Sequence, residues 1–237
     1  MILIKPSYEI LWMSGSPYKD IEKAARTCYK SEDKINEDSA PKLVRMLKER
    51  KHEAMIEFAD MTVKFVCDRG VSHELVRHRM CSFAQESTRY CNYSTNKFGS
   101  QLTFIIPMWY NLDEKEYAFD EGSVIYFEEV GDEKRKIVYN SFNERKFVWL
   151  KQMLYSELSY LQLIEMGESP QQARSVLPNS LKTEIVVKAN MREWIHIFKL
   201  RTSEAAHPQM REIMVPLYRF MAERYPDIFS DINPAVL

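Results

Sequence analysis

The spacing of apolar and polar positions predicts helices and strands that follow one another along the chain. Longer helices are predicted over Tyr18–Tyr29, Ser39–Arg50, Arg135–Met166, Met191–Leu200 and Gln209–Tyr225, the last kinked by Pro216. Shorter helical stretches are predicted over Val71–Val76 and from Ser169-Pro170 to a stop before Pro178. Strands are predicted over Met61–Cys67, Gln101–Ile106 and Glu184–Asn190. Interspersed elements without an internal repeat predict the α/β class, with a mixed β-sheet flanked by helices in a single domain.

Two details of this pattern are local. Gly167 is predicted to end the long helix as its C-cap, and Asn190 to cap the helix that follows it. Residues 110–136 are acidic and only weakly periodic, so we expect an excursion or a helical insertion there.

Glycine is scarce in this chain. Six glycines occur in 237 residues, where average usage would give about seventeen. They are too far apart to form a G-x-G-x-x-G loop or a P-loop, the usual backbone cradles for nucleotide phosphates. If the protein binds a nucleotide, side chains must hold it.

Charge and targeting signals exclude several classes of partner. Lys+Arg 33 against Asp+Glu 34 gives a net charge of -1, so no global field attracts nucleic acid or an anionic membrane. Lys5, Pro6 and Glu9 interrupt the N-terminus where a signal peptide would be apolar, and no apolar run is long enough for a membrane span. The four cysteines form no C-x-x-C pair. We therefore expect a soluble cytoplasmic protein with reduced cysteines and no nucleic-acid or membrane partner.

The segment from His73 to Tyr90 concentrates histidine, arginine and hydroxyl side chains. It superficially resembles the zinc motif H-E-x-x-H, but His73 and His78 are five residues apart and would diverge by about 140° on a helix. This spacing predicts no metal site. Glu74 and His78 are four residues apart and would share a helical face, so that the carboxylate could orient the imidazole.

Arg77, His78 and Arg79 form a run of adjacent basic side chains. Because successive helical residues are rotated by about 100°, the three must fan out. One interpretation is a helix C-terminus whose cations complement the macrodipole. The other is a pocket wall for several anionic groups, since guanidinium forks suit phosphate oxygens. Ser87–Arg89 adds donors of the same kind.

Nucleophilic catalysis by this segment is not favoured. No G-x-S-x-G turn surrounds Ser87, and the next histidine downstream is His196. The sequence therefore indicates a hydroxyl that donates to a ligand. Cys81 and Cys91 flank the segment and are interpreted as structural.

A second group of polar side chains runs from Asn190 to Arg201 and is preceded by Arg174. Arg192 and His196 are four residues apart and share one helical face, opposite an apolar one. A solvated helix face, with Asn190 as the N-cap and Arg201 near the C-terminus, would explain the same residues without a function.

Arg77-His78-Arg79, followed after seven residues by Ser87, reproduces the R-H-R-x7-S signature. On this signature the chain resembles the flavin-dependent thymidylate synthases. The resemblance extends to Ala24-Ala25-Arg26, His52-Glu53 with Glu57, His73–Tyr90, Ala173-Arg174 with Leu177-Pro178, and Asn190–Arg211. It covers most of a single domain expected to span residues 1–237, apart from a variable insertion at roughly 108–150.

This resemblance implies a reaction and a set of ligands. Such enzymes convert dUMP to dTMP with a methylene group from methylenetetrahydrofolate and a hydride from FAD that NADPH has reduced. They are α/β homotetramers that assemble each FAD site from several subunits, and no enzymatic cysteine attacks the pyrimidine.

The resemblance also assigns residues by position. The FAD site would comprise His52, Glu57, Arg77, His78, Arg79, Gln85, Asn190, Arg192, His196 and Leu200. The dUMP site would comprise Glu74, Arg77, Gln85, Ser87, Thr88, Arg89, Arg174 and Arg201. Arg201 would be the catalytic residue, because its charge would stabilise a uracil deprotonated at N3.

The chain departs from the family pattern at a few positions. Cys28 replaces a serine near FAD, Ala54 replaces a threonine, and Ala206–Arg211 replaces the usual A-Q-x-E-I-R. Glu74 stands where other members have glutamine. Beside a nucleotide phosphate this carboxylate would repel, unless it pairs with His78 or faces the base.

Two other hypotheses stay open on the sequence. The basic and aromatic residues from Arg77 to Tyr93 could bind single-stranded RNA, although no RRM or KH signature accompanies them. The chain could also be a catalytically silent relative that binds only the nucleotide.

Overall fold

The computed structural model describes residues 1–95, 99–130, 133–139 and 144–235. The strands are β1 Ile2–Ile4, β2 Ser7–Met13, β3 Asp60–Asp68, β4 Ser82–Gln85, β5 Thr103–Ile105, β6 Tyr117–Asp120, β7 Ser123–Val130, β8 Glu133–Tyr139 and β9 Lys182–Asn190. The α-helices are α1 Pro17–Tyr29, α2 Ser39–Glu49, α3 Arg69–Leu75, α4 Arg145–Glu165, α5 Pro170–Ala173, α6 Met191–Arg201, α7 Pro208–Arg224 and α8 Pro226–Phe229. Short 3₁₀ helices cover Glu32–Lys34, Glu53–Phe58 and Arg174–Val176.

The chain forms two compact units, each assembled from three segments. Unit 1 consists of Met1–Pro6, Val66–Ser72 and Gln85–Glu184, and unit 2 of Ser7–Phe65, His73–Ala84 and Ile185–Leu237. Both contain helices and strands, so the predicted α/β class is confirmed. In the described part of the chain, no helix is long and apolar enough to cross a membrane.

Unit 1 is organised around the long helix α4. Its buried side includes Phe147, Leu150 and Tyr160, which belong to one apolar core with Leu3 and Phe104. The last two lie opposite each other in the parallel pair of β1 and β5. Burying side chains of this size stabilises the unit by about 1.5–3 kcal/mol each.

Of the two alternatives predicted for residues 110–136, an excursion or a helical insertion, the helical insertion is wrong. β6, β7 and β8 form an antiparallel three-stranded sheet, in which Tyr117 faces Tyr126 and Tyr126 faces Ile137. The rings of Tyr117, Tyr126 and Tyr139 lie 5.2–6.4 Å apart by their centroids. Cross-strand aromatic contacts of this kind stabilise a sheet that a weak sequence period does not reveal.

The long helix is therefore shorter than predicted. It begins at Arg145, because residues 135–139 belong to β8, and residues 140–143 of the predicted helix lie outside the described residues. Its end is confirmed. Gly167 has a φ of 96° and its amide bonds to the carbonyl of Ile164, while Glu168 bonds to Leu163. This is the left-handed cap that glycine favours.

Unit 2 contains most of a four-stranded sheet with the order β2-β3-β9-β4. The indole of Trp194 on α6 donates to the carbonyl of Met61 at 3.0 Å. Its ring and that of Phe198 lie 5.6 Å apart, and Phe198 also packs against Phe229 of α8. These buried contacts fix α6 by its apolar face, so that its polar face remains available for ligands.

Several further boundaries agree with the sequence within a few residues. These are α1, α2, α3, β3, β5, α6 and α7, together with β9, which begins two residues before its predicted start. Strands β1, β2 and β4 and helix α8 were not predicted, because each is short or only weakly patterned.

Candidate active site

The basic run Arg77-His78-Arg79 does not lie on a helix. Helix α3 ends at Leu75, and the backbone then turns, with the amides of Arg77 and His78 bonding to the carbonyls of Glu74 and Leu75. The side chains of Arg77, His78 and Arg79 therefore diverge because the backbone turns. Within the described residues, neither Arg77 nor Arg79 has a recorded ion pair, and both are exposed. Both guanidinium groups are available to an anion.

The predicted helical pairing of Glu74 with His78 is also wrong. Both side chains instead contact Arg201, the last residue of α6. Nη1 of Arg201 donates to Oε2 of Glu74 at 2.7 Å, and its Nη2 donates to the carbonyl of Glu74 at 2.8 Å. Nε donates to Nε2 of His78 at 2.9 Å. A carboxylate that is about a third exposed and a buried imidazole therefore hold one guanidinium.

The imidazole of His78 is 4% exposed. Its Nδ1 lies 3.6 Å from a carboxylate oxygen of Glu193, and its ring lies 5.7 Å from that of His196. Burial, followed by the charges of Arg201 and His196, lowers the pKa of His78 to about 4. The ring is therefore neutral near pH 7.

His78, Glu193 and His196 bring three possible metal-ligand atoms within 4.8 Å of one another. His78 is poorly suited to bind an ion, however, because its Nε2 accepts from Arg201 and its Nδ1 faces Glu193. An ion would have to replace one of these contacts. We therefore do not assign a metal site to this group.

A cavity of about 420 Å³ lies beside α6 in unit 2. Its lining consists of Glu53, Glu57, Met80, Asn190, Arg192, Glu193, Ile195, His196 and Lys199. Four of these were assigned to the flavin from the sequence: Glu57, Asn190, Arg192 and His196. The predicted common face of Arg192 and His196 is confirmed, since both are exposed while Ile195 and Phe198 are buried.

Other residues of the predicted flavin set have local roles as well. The Asn190 side chain accepts the amide of Glu193 at 2.8 Å, which confirms the predicted N-cap. His52 is exposed, and its Nδ1 lies 2.8 Å from the hydroxyl of Tyr29. Leu200 is half exposed and lines a second cavity of about 460 Å³ with Glu74 and Arg201.

Within unit 1, the structure brings together several residues of the predicted dUMP set. Nη1 of Arg174 donates to the hydroxyl of buried Thr88 at 3.3 Å. Oγ of Ser87 accepts the amide of Arg89 at 3.3 Å, and the exposed guanidinium of Arg89 lies over the ring of Tyr90. The turn and the 3₁₀ helix Arg174–Val176 therefore bring together two guanidinium groups and two hydroxyls.

Gln85 belongs to both predicted sets and is half buried in unit 1. Its amide nitrogen donates to the hydroxyls of Ser72 and Thr183 at 2.9 and 3.2 Å. Both contacts use the amide nitrogen, so its carbonyl oxygen can still accept a hydrogen bond from a ligand.

Glu86 supports this turn, a role that the sequence did not indicate. The carboxylate of Glu86 accepts from Lys182, from the hydroxyl of Tyr93 and from the amide of Glu184 at 3.0–3.2 Å. Three contacts at one carboxylate fix the backbone directly before Ser87. The contacts with Lys182 and Glu184 span 96 and 98 residues of chain and leave no periodic signal, so only the fold reveals them.

Glu193, Glu53 and Lys199 were also given no role from the sequence. Glu193 faces His78, and Glu53 lies 3.7 Å from Arg192. A carboxylate at the third position of a helix is usually explained by the macrodipole alone. The sequence therefore offered no reason to expect the contact of Glu193 with His78.

Comparisons with known proteins give a consistent result. A family model described as "Thymidylate synthase complementing protein" matches residues 10–227. A flavin-dependent thymidylate synthase of Corynebacterium aurimucosum is 31% identical over 220 residues, which cover 92% of this chain and 80% of that protein. Another, of Geobacter sulfurreducens, is 29% identical over 235 residues, which cover 96% and 87%.

A solved structure shares the fold. It is the UMP/dUMP methylase PolB from Streptomyces cacaoi, bound with 5-Br dUMP, with a TM-score of 0.70 over 97% of this chain and 96% of that one. The two sequences are 22% identical. Since the family model matches most of the chain, and the R-H-R-x7-S signature indicated the same group, the protein belongs to the thymidylate synthase complementing family, whose curated relatives are named flavin-dependent thymidylate synthases.

Proposed function

We propose that this protein is a thymidylate synthase that uses FAD, takes its methylene group from methylenetetrahydrofolate and its electrons from NADPH, and converts dUMP to dTMP. We further propose that it works in the cytoplasm as a homotetramer. The observation that carries the proposal is the anchored guanidinium of Arg201 at a cavity, where two of its N–H groups have no partner among the described residues. Membership of the family supplies the reaction class.

The residues present fit a flavin with phosphate groups. Arg192, His196 and Lys199 supply nitrogen donors at the 420 Å³ cavity, and Ile195 supplies an apolar wall. Arg77 and Arg79, both exposed, add guanidinium groups without backbone glycines. This is the side-chain solution that the scarcity of glycine predicts.

His52, Glu57, Asn190 and Leu200 complete the flavin set that we propose, together with Gln85 and His78. Nε2 of His78 accepts from Arg201, so its contribution to flavin binding would be a contact of the ring or donation from Nδ1, which lies 3.6 Å from Glu193. When bound, the flavin supplies the hydride that reduces the transferred methylene group.

The chain's own catalytic contribution is electrostatic. We assign Arg201 to the uracil ring, where its charge stabilises the anion formed by loss of the N3 proton. An anionic ring is more nucleophilic at C5, the carbon that receives the methylene group. A guanidinium that is already oriented needs little reorganisation when that charge develops.

We assign the other donors to binding of dUMP. Ser87, Thr88, Arg89 and Arg174 suit phosphate and sugar oxygens, because hydroxyl and guanidinium groups bond to both. Gln85 offers a carbonyl acceptor, and Arg77 is assigned to both ligands. Glu74 contacts Arg201 and has a separate role.

The thiol of the signature segment is unsuited to nucleophilic catalysis. Burial, with the negative charge of Glu193, raises the pKa of Cys81 to about 12, and burial also raises the pKa of Cys67. Both are thiols at neutral pH. These directions support a mechanism in which no cysteine of the enzyme attacks the pyrimidine.

The test is an assay for dTMP with purified protein, dUMP, methylenetetrahydrofolate, FAD and NADPH. We expect a yellow protein that forms dTMP, and a Cys81→Ala variant with a similar rate. A preparation that binds dUMP but forms no dTMP would indicate a silent relative. Absence of flavin binding after FAD addition would refute the proposal. Binding of RNA without binding of flavin or dUMP would favour the alternative of a single-stranded RNA-binding protein.

A further inference from the structure

Arg201 is held by three hydrogen bonds within the protein. A guanidinium has five N–H groups. Three of them bond within unit 2, to Nε2 of His78 and to Oε2 and the carbonyl of Glu74, at 2.7–2.9 Å. Within the described residues the other two have no recorded acceptor. These contacts fix the plane of the guanidinium before any ligand binds.

His78 can fill this role only in one protonation state. Arginine has no acceptor atom, so Nε2 of His78 must be the acceptor and must carry no proton. A neutral imidazole then has its proton on Nδ1, the nitrogen that faces Glu193. The charged and titratable groups recorded around the ring are Arg201, Glu193 and His196. The nearest cation and the burial of the ring both favour the neutral form.

Glu74 contributes two acceptors to the same guanidinium. It stands in the last turn of α3, where its carbonyl accepts the amide of Arg77, and Arg201 donates to this carbonyl as well as to the side chain. The carboxylate is about a third exposed. With its oxygen engaged by Arg201, it is turned to a protein group instead of a nucleotide phosphate.

We propose that Glu74 and His78 are positioning residues for Arg201, and that Glu74 acts on the substrate through that guanidinium. The inference rests on the proposed function for the identity of the substrate. It resolves the conflict raised by a carboxylate in the dUMP set, because a negative charge paired at 2.7 Å no longer repels a nucleotide. This clamp, formed by Glu74 and His78 on Arg201, leaves two N–H groups of Arg201 for a planar anionic ring in the adjoining cavity.

The direct test follows Arg201 without any assay of activity. Protein labelled with ¹⁵N at arginine Nε gives an N–H signal for Arg201, identified by its loss in Arg201→Lys. In the clamp, this proton is protected from exchange with water. We expect Glu74→Ala and His78→Ala to raise its exchange rate about 10-fold or more, since each removes an acceptor that holds the group.

Conservative variants separate positioning from loss of structure. Glu74→Gln retains an oxygen for Nη1, and His78→Gln retains one for Nε, so both should keep the exchange rate within about 3-fold of the wild type. Glu204→Gln is the matched control, because Glu204 is an exposed glutamate that lies in the chain between Ser203 and Ala205, two residues that line the cavity. It should match the wild type.

Kinetics then give a second readout. Glu74→Ala should lower kcat about 10- to 100-fold, because a misplaced guanidinium stabilises developing charge poorly, while the Kd for dUMP changes less than about 3-fold. Glu74→Gln should recover most of kcat. Wild-type exchange and kcat in Glu74→Ala would overturn the proposal.

A different failure is also informative. An increase of about 10-fold in the Kd for dUMP, with unchanged exchange at Arg201, would show that Glu74 contacts the substrate directly and would refute the clamp. If the wild type formed no dTMP, the proposed function would fail. The exchange measurements would still decide whether Glu74 and His78 position Arg201.

Discussion

Nη1 of Arg192 donates to Oε1 of Glu57 at 2.6 Å, although 135 residues separate the two in the chain. The pair joins α6 to the 3₁₀ helix Glu53–Phe58, and both side chains line the same cavity. They are 48% and 43% exposed. Ion pairs this exposed stabilise a fold by at most about 1 kcal/mol. Their importance is therefore expected in ligand binding.

Replacing Arg192 by glutamine should weaken FAD binding more than it weakens the fold. We expect the Kd for FAD to rise about 10-fold, because a charge-assisted hydrogen bond to a phosphate is lost. The free energy of unfolding should change by less than about 1 kcal/mol. Flavin fluorescence titration and urea unfolding measure the two quantities. Arg219→Gln, an exposed arginine of the same unit, is the control; equal FAD affinities in both variants would contradict the assignment.

Arg201 should be required for the reaction and dispensable for the flavin. Arg201→Ala is expected to lower dTMP formation about 100- to 1000-fold, the usual cost of losing an oriented donor to a developing anion. Arg201→Lys should also be defective, since an ammonium cannot reproduce the three-point contact. Product formation by chromatography and the visible spectrum report the two properties. A variant that turns over normally would rule out the catalytic role.

Arg174 and Thr88 should contribute unequally to nucleotide affinity. Removing the guanidinium in Arg174→Ala should raise the Kd for dUMP about 10-fold, through the loss of a charged donor. Thr88→Val removes only the hydroxyl that accepts from Arg174 at 3.3 Å, so its effect should be smaller. Calorimetric titration with dUMP gives both values. Arg145→Ala, an exposed arginine of unit 1, should bind like the wild type; a reversed order would argue against phosphate binding by Arg174.

Acidification should destabilise the protein through His78. The pKa of His78 falls from 6.5 to about 4 on folding. Between these two pH values, the imidazole is protonated in the unfolded chain and neutral in the folded chain. Stability present above pH 6.5 should therefore be lost towards pH 4, by up to about 3 kcal/mol. Urea unfolding at several pH values measures this slope.

Other groups titrate in the same pH range, so a variant is needed to assign the pH dependence of the unfolding free energy to His78. Burial raises the pKa of Glu193, and this carboxyl opposes the effect of His78 on acidification. His78→Gln cannot titrate and should show a shallower loss of stability than the wild type. His73→Gln removes an exposed histidine of the same segment and should keep the wild-type slope. An unchanged slope in His78→Gln would exclude His78 as its source.

The sequence by itself determined the features that depend on short stretches of chain. The polar face of Arg192 and His196 follows from local spacing, because a helix repeats every 3.6 residues. The Gly167 cap follows from the positive φ that glycine tolerates, and the Asn190 cap from a side chain that accepts a backbone amide. The R-H-R-x7-S signature indicated the family for a similar reason, since the order of its residues along the chain is enough to identify it.

Only the tertiary structure decided which groups meet. Local spacing paired Glu74 with His78, but the end of α3 at Leu75 separates them, and Arg201 binds both from 123 to 127 residues away. The helix predicted from residue 135 likewise gives way to β8, because pairing with β7 outweighs a weak local preference. Hydrogen bonds between distant segments depend on how the whole chain packs, and no periodicity in the sequence records them.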